Sequence, residues 1–384
     1  MLLLRSKLLK SAINYLFIIG ILSGCGSSGS SGSSSNSTAE MELPVVTPSL
    51  IEIPLNGIPA ELGNFDPAPT VDAGGGVWMS YSHVSLDASG LKLIETRLAS
   101  SPDAGDSWTD RGLSINPAAA FTIGPDTVAW AQEVSRLVYN PFAAGSGADP
   151  WVILWHRYLS LLSGGETLRL FENGWIGMKS GNSAMTLANE RKLFTGALYN
   201  AANNTTIGPP EVQLDALDPA LADCIAFTEP GVLPKSSGIY VSLLCATAAP
   251  PGKIILLRCD HHMNNCAYLG TLIDGGEAAL LDSGYDNFSA SELVSVNGED
   301  YLIVTPSENT IYRGCVIYKI PDLDLASIER EGGNAKATAV FEAHGDFNGA
   351  CGYAEGLTGS GVMMSEAFTT SIPVFRLFTT DYNF

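Results

Sequence analysis

Five acidic residues recur near the openings of short apolar runs: Asp66 in NFDPAPTV, Glu133 in WAQEVSRLVY, Glu229 in AFTEPGVL, Glu292 in FSASELVSV and Glu355 in CGYAEGLTG. By difference of residue numbers their intervals are 67, 96, 63 and 63 residues. Carboxyl groups brought together raise one another's pKa, because like charges disfavour ionisation. One carboxyl kept protonated beside another kept ionised is what acid/base cleavage of a glycosidic bond requires. The same residue types also accept backbone hydrogen bonds at strand starts, and the chain has 40 acidic residues to place. The expectation therefore concerns the set: at least two of the five meet at one active mouth.

Positioning them requires a repeated element. Long runs with helical period are almost absent; short β-branched and aromatic runs alternate with Gly, Pro, Asn and Asp, which reads as all-β. One series is GVWMSYS (76–82), WVILWHRYL (151–159), IYVSLLCA (239–246), DYLIVTP (300–306) and GVMMSEAF (361–368). Each is followed by a second run: LKLIETRLAS (91–100), ETLRLFENG (166–174), KIILLRCDH (253–261), GCVIYKIPD (314–322) and IPVFRLFTT (372–380). The repeat of roughly 60 to 90 residues suits a four-stranded propeller blade with loops. Fourth strands are expected at WTDRGLSI (108–115), WIGM (175–178), CAYLGTL (266–272) and ATAVFEA (337–343). The last pair lacks one, and SLIEIPLNG (49–57) is placed to supply it and close the ring. The expected fold is a five-bladed β-propeller of four-stranded antiparallel blades, with six blades the alternative if 190–220 holds another. The innermost strand of each blade then lines a central channel, with the carboxylates at its mouth.

Around that mouth, Glu292, Glu355, Tyr353, Arg136 and Trp130 are candidate substrate contacts. Trp130, Trp155, His156 and Tyr158 could stack on a sugar ring, although aromatic residues in such strands more often pack between sheets.

The N-terminus reads as a targeting segment. Arg5, Lys7 and Lys10 precede the apolar YLFIIGIL (15–22), too short for a comfortable membrane-spanning helix. LSGC (22–25) resembles a bacterial lipobox, which implies cleavage before Cys25 and a lipid on its sulfur. GSSGSSGSSSNST then makes a flexible tether. The expected organisation is a signal over 1–24, a tether over 25–43 and the propeller over 44–384, held at the outer membrane or cell surface of a bacterium. Net charge is −20, or near −23 without the three basic residues of the signal, which opposes nucleic-acid binding. Apart from Cys25 there are six cysteines: Cys224, Cys245, Cys259, Cys266, Cys315 and Cys351. In an exported chain they read as disulfides, with fifteen pairings open. Spacing singles out Cys259 with Cys266, whereas zinc at Cys259, His261, His262 and Cys266 matches no standard spacing.

Asn64, Asp66 and Pro67, then Trp78 to Ser82, then Ser101, Asp103 and Trp108 resemble the first blade of five-bladed glycoside hydrolases of families 43, 32 and their relatives. The resemblance implies that Asp66 is the general base or nucleophile and Glu229 the general acid. Glu133 stands where these families place an Asp that tunes the acid. Ser101, Asp103, Gly105 and Trp108 also resemble the sialidase Asp box, S-x-D-x-G-x-x-W. A sialidase would add an arginine clamp, for which Arg136, Arg258, Arg313 and Arg376 are available, and a Tyr–Glu pair such as Tyr353 and Glu355. The full clamp is not visible, because Arg258 and Arg376 lie in third-strand runs. Three readings follow: a lipid-anchored glycosidase on poly- or oligosaccharides, a non-catalytic carbohydrate- or protein-binding propeller, and a sialidase. No cofactor is implied beyond a calcium ion compatible with a carboxylate-lined channel.

Overall fold

The computed structural model of the chain describes residues 43–384 except 60, 116, 164–165, 201–207, 343, 358–360, 369–373 and 383. The signal, Cys25 and most of the tether lie outside the described residues.

The described chain is all-β, with its sheets in a propeller arrangement. Sheet I pairs Asn64–Val71, Val77–Leu86, Lys92–Ser101 and Trp108–Ser114 in that order. Sheet II is built on Asp126–Tyr139, Trp151–Ser163, Glu166–Gly181 and Ala188–Thr195, with Ala120–Ile123 and Val212–Gln213 at its edges. Sheet III holds Cys224–Lys235, Gly238–Thr247, Lys253–Cys259 and Cys266–Asp274. Sheet IV pairs Asn287–Val296, Glu299–Glu308, Cys315–Ile320 and Ala337–Phe341, while Ile311–Tyr312 adds to its second strand. Sheet V holds Phe347–Gly352, Met363–Phe368 and Val374–Thr380.

The segment before sheet I runs along three outer edges. Val45–Val46 lies parallel on Ala337–Phe341 of sheet IV, Leu50–Glu52 antiparallel on Val374–Thr380 of sheet V, and Leu55–Asn56 parallel on Trp108–Ser114 of sheet I. Each pairing covers backbone groups that an open edge would leave unpaired.

Apolar side chains are buried between neighbouring sheets. One cluster joins Leu98 of sheet I to Leu137, Trp151 and Ile153 of sheet II; another joins Leu154 and Phe194 of sheet II to Val232 and Leu243 of sheet III. Tyr240 and Leu256 of sheet III meet Phe288 and Leu302 of sheet IV, and Ile303 and Ile317 of sheet IV meet Met364 of sheet V. Met363 and Leu377 of sheet V pack on Met79 and Trp108 of sheet I. The first strands touch in the same order, and Phe347–Gly352 packs back on Asn64–Val71.

Three expectations are corrected. WIGM (175–178) is not a fourth strand: it continues Glu166–Gly181, and the fourth strand of sheet II is Ala188–Thr195. The continuous run from Glu166 pairs along both arms of the long second strand, leaving no turn at Trp175. The 190–220 region holds that strand and Val212–Gln213, so no sixth sheet forms there among the described residues. The first strand of sheet V is Phe347–Gly352, so Glu355 falls beyond it.

The turn between the last two strands of sheet I is tied by its own side chains. Ser101 Oγ donates to Asp103 Oδ1 at 2.8 Å and accepts from Gly105 N, Asp103 accepts from Ser107 N, and Trp108 Nε1 donates to Gly105 O at 3.0 Å. Gly105 adopts φ 109°, which suits a residue without Cβ. Trp108 is fully buried. Disulfides join Cys224 to Cys245 within sheet III, Cys259 to Cys266, and Cys315 of sheet IV to Cys351 of sheet V. The second of these uses the sulfurs that a zinc site would need.

Candidate active site

Each first strand is interrupted by a bulge in its pairing with the second strand, and that of sheet III carries a further shift between Cys224 and Ala226. At each bulge one non-glycine residue takes positive φ: Asp66 (56°), Val134 (48°), Glu229 (56°), Ala290 (46°) and Ala350 (52°). Such backbones cost energy outside glycine and cluster at functional sites. These five residues are the structurally equivalent positions, and only Asp66 and Glu229 among them carry carboxyl groups. Glu133 stands one residue before its bulge and Glu292 two after.

The second strand decides how each bulge is held. Opposite the residue preceding the bulge stand Ser82, His156, Leu244, Thr305 and Ser365. Three hydroxyls reach across to the next sheet. Ser365 Oγ accepts from Asp66 N at 2.8 Å, Ser82 Oγ from Val134 N at 3.2 Å, and Thr305 Oγ1 from Ala350 N at 2.8 Å. Sheet III has Leu244 there and can offer no acceptor. Ala290 N instead donates to Glu229 Oε2 at 2.6 Å.

Asp66 has no exposed surface. Its Oδ2 accepts from Ser82 Oγ at 2.9 Å and Val134 N at 3.2 Å, while Oδ1 has no partner among the described residues. Burial, with the Glu133 carboxylate close by, pushes the Asp66 pKa up to about 8 despite Arg136 and the Ser82 bond. Glu229 is half-buried, and its Oε1 accepts from Tyr312 Oη at 2.8 Å. Burial raises its pKa too, but the bonds from Ala290 N and Tyr312 favour the ionised form and oppose that rise. Glu133 is 5 % exposed and lies beside the buried Tyr158 hydroxyl. Asp66, Glu133 and Glu229 thus act on one another electrostatically, as expected of three groups facing one space.

Several neighbours escaped sequence reasoning. Arg169, on the third strand of sheet II, is exposed yet faces Tyr158, Glu133, Tyr312 and Glu229. Its guanidinium carbon lies 6.0 Å from the Tyr158 ring centroid. The reach comes from the length of the second and third strands of sheet II, 13 and 16 residues. Tyr312 stacks on Phe347 at 4.7 Å, and Phe347 meets Phe375, which makes an aromatic wall beside Glu229. The only available signal for Tyr312 was its place in a short run after the second strand of sheet IV.

Other candidate residues lie elsewhere. Glu355 is exposed and accepts from Asn297 N at 3.1 Å, at the turn after the first strand of sheet IV, the end away from the bulge. Tyr353 packs on Phe384 at 4.7 Å in the cluster between sheets IV and V. Arg136 and Glu292 are 1 % and 4 % exposed and ion-paired with each other, so neither presents a free group to a ligand. The Arg136 charge nevertheless acts on Asp66 and favours its ionised form. Trp130 is half-buried and meets Trp175 edge-on at 5.1 Å, and the Arg157 guanidinium lies against both rings at 4.9 and 5.0 Å. Trp155, His156 and Tyr158 are buried packing residues, and burial holds the His156 pKa down to about 3. Arg258 pairs with Asp324, Arg313 with Glu308 and Arg376 with Glu52, so these three form no clamp at the mouth.

No protein-family model matches the chain, and no curated protein sequence matches it. Glycoside hydrolases are among the solved structures similar to it. The family 117 glycoside hydrolase Zg3597 of Zobellia galactanivorans aligns with TM-score 0.47 and 12 % identity, over 87 % of this chain and 91 % of that one. A GH43 endo-arabinanase from Bacillus licheniformis aligns with TM-score 0.44 and 13 % identity, over 86 % and 97 %. The Bacillus subtilis arabinanase Arb43A aligns with TM-score 0.42 and 12 % identity, over 82 % and 93 %.

Proposed function

We propose that this chain is an exported, lipid-anchored propeller that cleaves glycosidic bonds in poly- or oligosaccharides at the mouth formed by Asp66, Glu133 and Glu229. The five sheets are read as blades of one ring, closed by the N-terminal segment and tethered through Cys25. The observation that carries the reading is Asp66: positive φ, complete burial, an unpaired Oδ1 and a carboxyl that stays protonated up to about pH 8. Backbone strain clusters at functional sites, and a buried polar atom without a partner calls for an explanation such as a catalytic role.

The electrostatics favour a division of labour opposite to the one the resemblance implies. Asp66 bears the proton near neutral pH and is suited to give it to a leaving oxygen. Glu229, with two donors stabilising its ionised form, is suited to activate water or attack. Arg169 and Tyr312 then hold the sugar beside them, and Glu133 keeps the Asp66 proton in place by like-charge repulsion.

The complete burial of Asp66 favours a second reading, a carbohydrate-binding propeller in which Asp66 is an anchor only. Reducing-sugar release from a panel of plant, algal and host glycans separates the two. Turnover by the wild type that is lost in Asp66→Asn and Glu229→Gln supports hydrolysis. Binding without turnover in the wild type overturns it in favour of the binder.

A further inference from the structure

One layer below the mouth, each first strand returns to register two residues after its bulge. The residues there are Ala68, Arg136, Gly231, Glu292 and Gly352. Three are glycine or alanine, and the backbones around the two glycines leave no room for more. A Cβ on Gly231 would stand 2.8 Å from Ser291 O, and one on Gly352 would stand 2.1 Å from Pro67 O. The two remaining positions carry opposite charges. Arg136 of sheet II and Glu292 of sheet IV meet as an ion pair, Nε to Oε2, although sheet III separates their strands in the ring. Arg136 Nη1 also donates to Ser135 O at 3.2 Å.

We propose that Arg136 and Glu292 form a charge plug across the propeller axis that floors the mouth and positions Asp66, so that the mouth opens to one side only. The proposal rests on reading Asp66 as the working carboxyl. Arg136 acts on Asp66 by two routes. It lies two residues beyond Val134, whose N–H donates to Asp66 Oδ2 at 3.2 Å, so anchoring Arg136 anchors that donor. Its charge also acts on the carboxyl directly, favouring the ionised form. Its pull on Asp66 is limited because Glu292 neutralises it. The other groups facing Asp66 are Glu133 beside Val134, Glu229 of sheet III, Ser82 in its own sheet, Ser365 of sheet V, and the phenols Tyr158 and Tyr312. Arg136 is the charged group that faces Glu292. Arg136 and Glu292 are positioning residues: both are buried away from the space a sugar would fill.

The test is a carbon-13 carboxyl titration of the full chain, with the Asp66 signal assigned by its loss in Asp66→Asn. In Glu292→Gln the guanidinium is left uncompensated, and the Asp66 midpoint falls by about one pH unit. The double variant Arg136→Met with Glu292→Leu replaces the pair by apolar groups, a change that buried ion pairs tolerate. In it the midpoint rises, which keeps the test available if the single variant does not fold. An unchanged midpoint in whichever variants fold overturns the plug. The readout does not depend on turnover. Shifted midpoints in a protein that cleaves no glycan would uphold the plug and overturn the hydrolase reading, and unchanged midpoints in an active hydrolase would do the reverse.

Discussion

Asp66 and Glu229 occupy the same bulged position in two different sheets, with the same φ of 56°, although 163 residues separate them in the chain. Their surroundings differ in one respect that matters for chemistry. The Glu229 carboxylate accepts a phenolic hydrogen bond from Tyr312, whereas Asp66 keeps one oxygen unpaired. Removing the Tyr312 donor in Tyr312→Phe should make Glu229 harder to ionise. The acid limb of the kcat/KM profile should move up by about one pH unit. A profile that stays in place would show that the bond does not set the Glu229 charge state.

The same bulges predict stability. Thr305→Val leaves the buried Ala350 N–H without its acceptor and should cost about 1–3 kcal/mol in urea unfolding. At the corresponding place in sheet III the acceptor is Glu229 itself. Glu229→Gln keeps an oxygen there, so Glu229→Leu should unfold at clearly lower urea. Equal midpoints for the two would mean that Ala290 N–H finds another partner.

Stability should also vary with pH in a direction the carboxyls fix. Asp66 has a folded pKa of about 8, above that of a free carboxyl, with burial the leading cause. Between about pH 4 and 8 the folded chain therefore holds a proton that the unfolded chain has released, and this group makes stability fall as pH rises. Asp66→Asn should flatten that decline. His156 works the other way. Its pKa of about 3 lies below the free value of 6.5, so its contribution is present above 6.5 and is lost as pH falls towards 3. His156→Phe should weaken the acid limb of a melting-temperature profile; an unaltered limb would assign it to other groups.

Cys315–Cys351 is the disulfide that crosses between sheets IV and V, closing a separation of 36 residues. Replacing both cysteines by alanine should cost about 4 kcal/mol by loop-closure entropy. Calorimetry under otherwise equal conditions checks this, and an unchanged melting temperature would place the tie elsewhere.

Most strands were legible because the second strands of sheets I to IV are long runs rich in apolar residues and buried on both faces over most of their length. Sheet II misled at WIGM because its third strand is 16 residues long, and a strand of that length contains what looks like two. The mouth was only partly legible. Asp66 and Glu229 were found by their place at strand openings, but the regular intervals overstated the register. Glu133 stands one residue before the positive-φ position of its strand, Glu292 two after and Glu355 five after, so they fell near the repeat without sharing its geometry. Arg136 with Glu292, and Tyr312 with Glu229, are pairs between different sheets. No spacing along one strand announces such pairs.

The central claim is that the carboxyls at the mouth break glycosidic bonds. Its most direct test is initial-rate hydrolysis of a glycan panel by the wild type, Asp66→Asn and Glu229→Gln, with folding checked by circular dichroism. The account predicts turnover of at least one glycan by the wild type, and a loss of 10²-fold or more in each folded variant, about the contribution of a positioned acid or base. Turnover at the wild-type rate in either folded variant would contradict it.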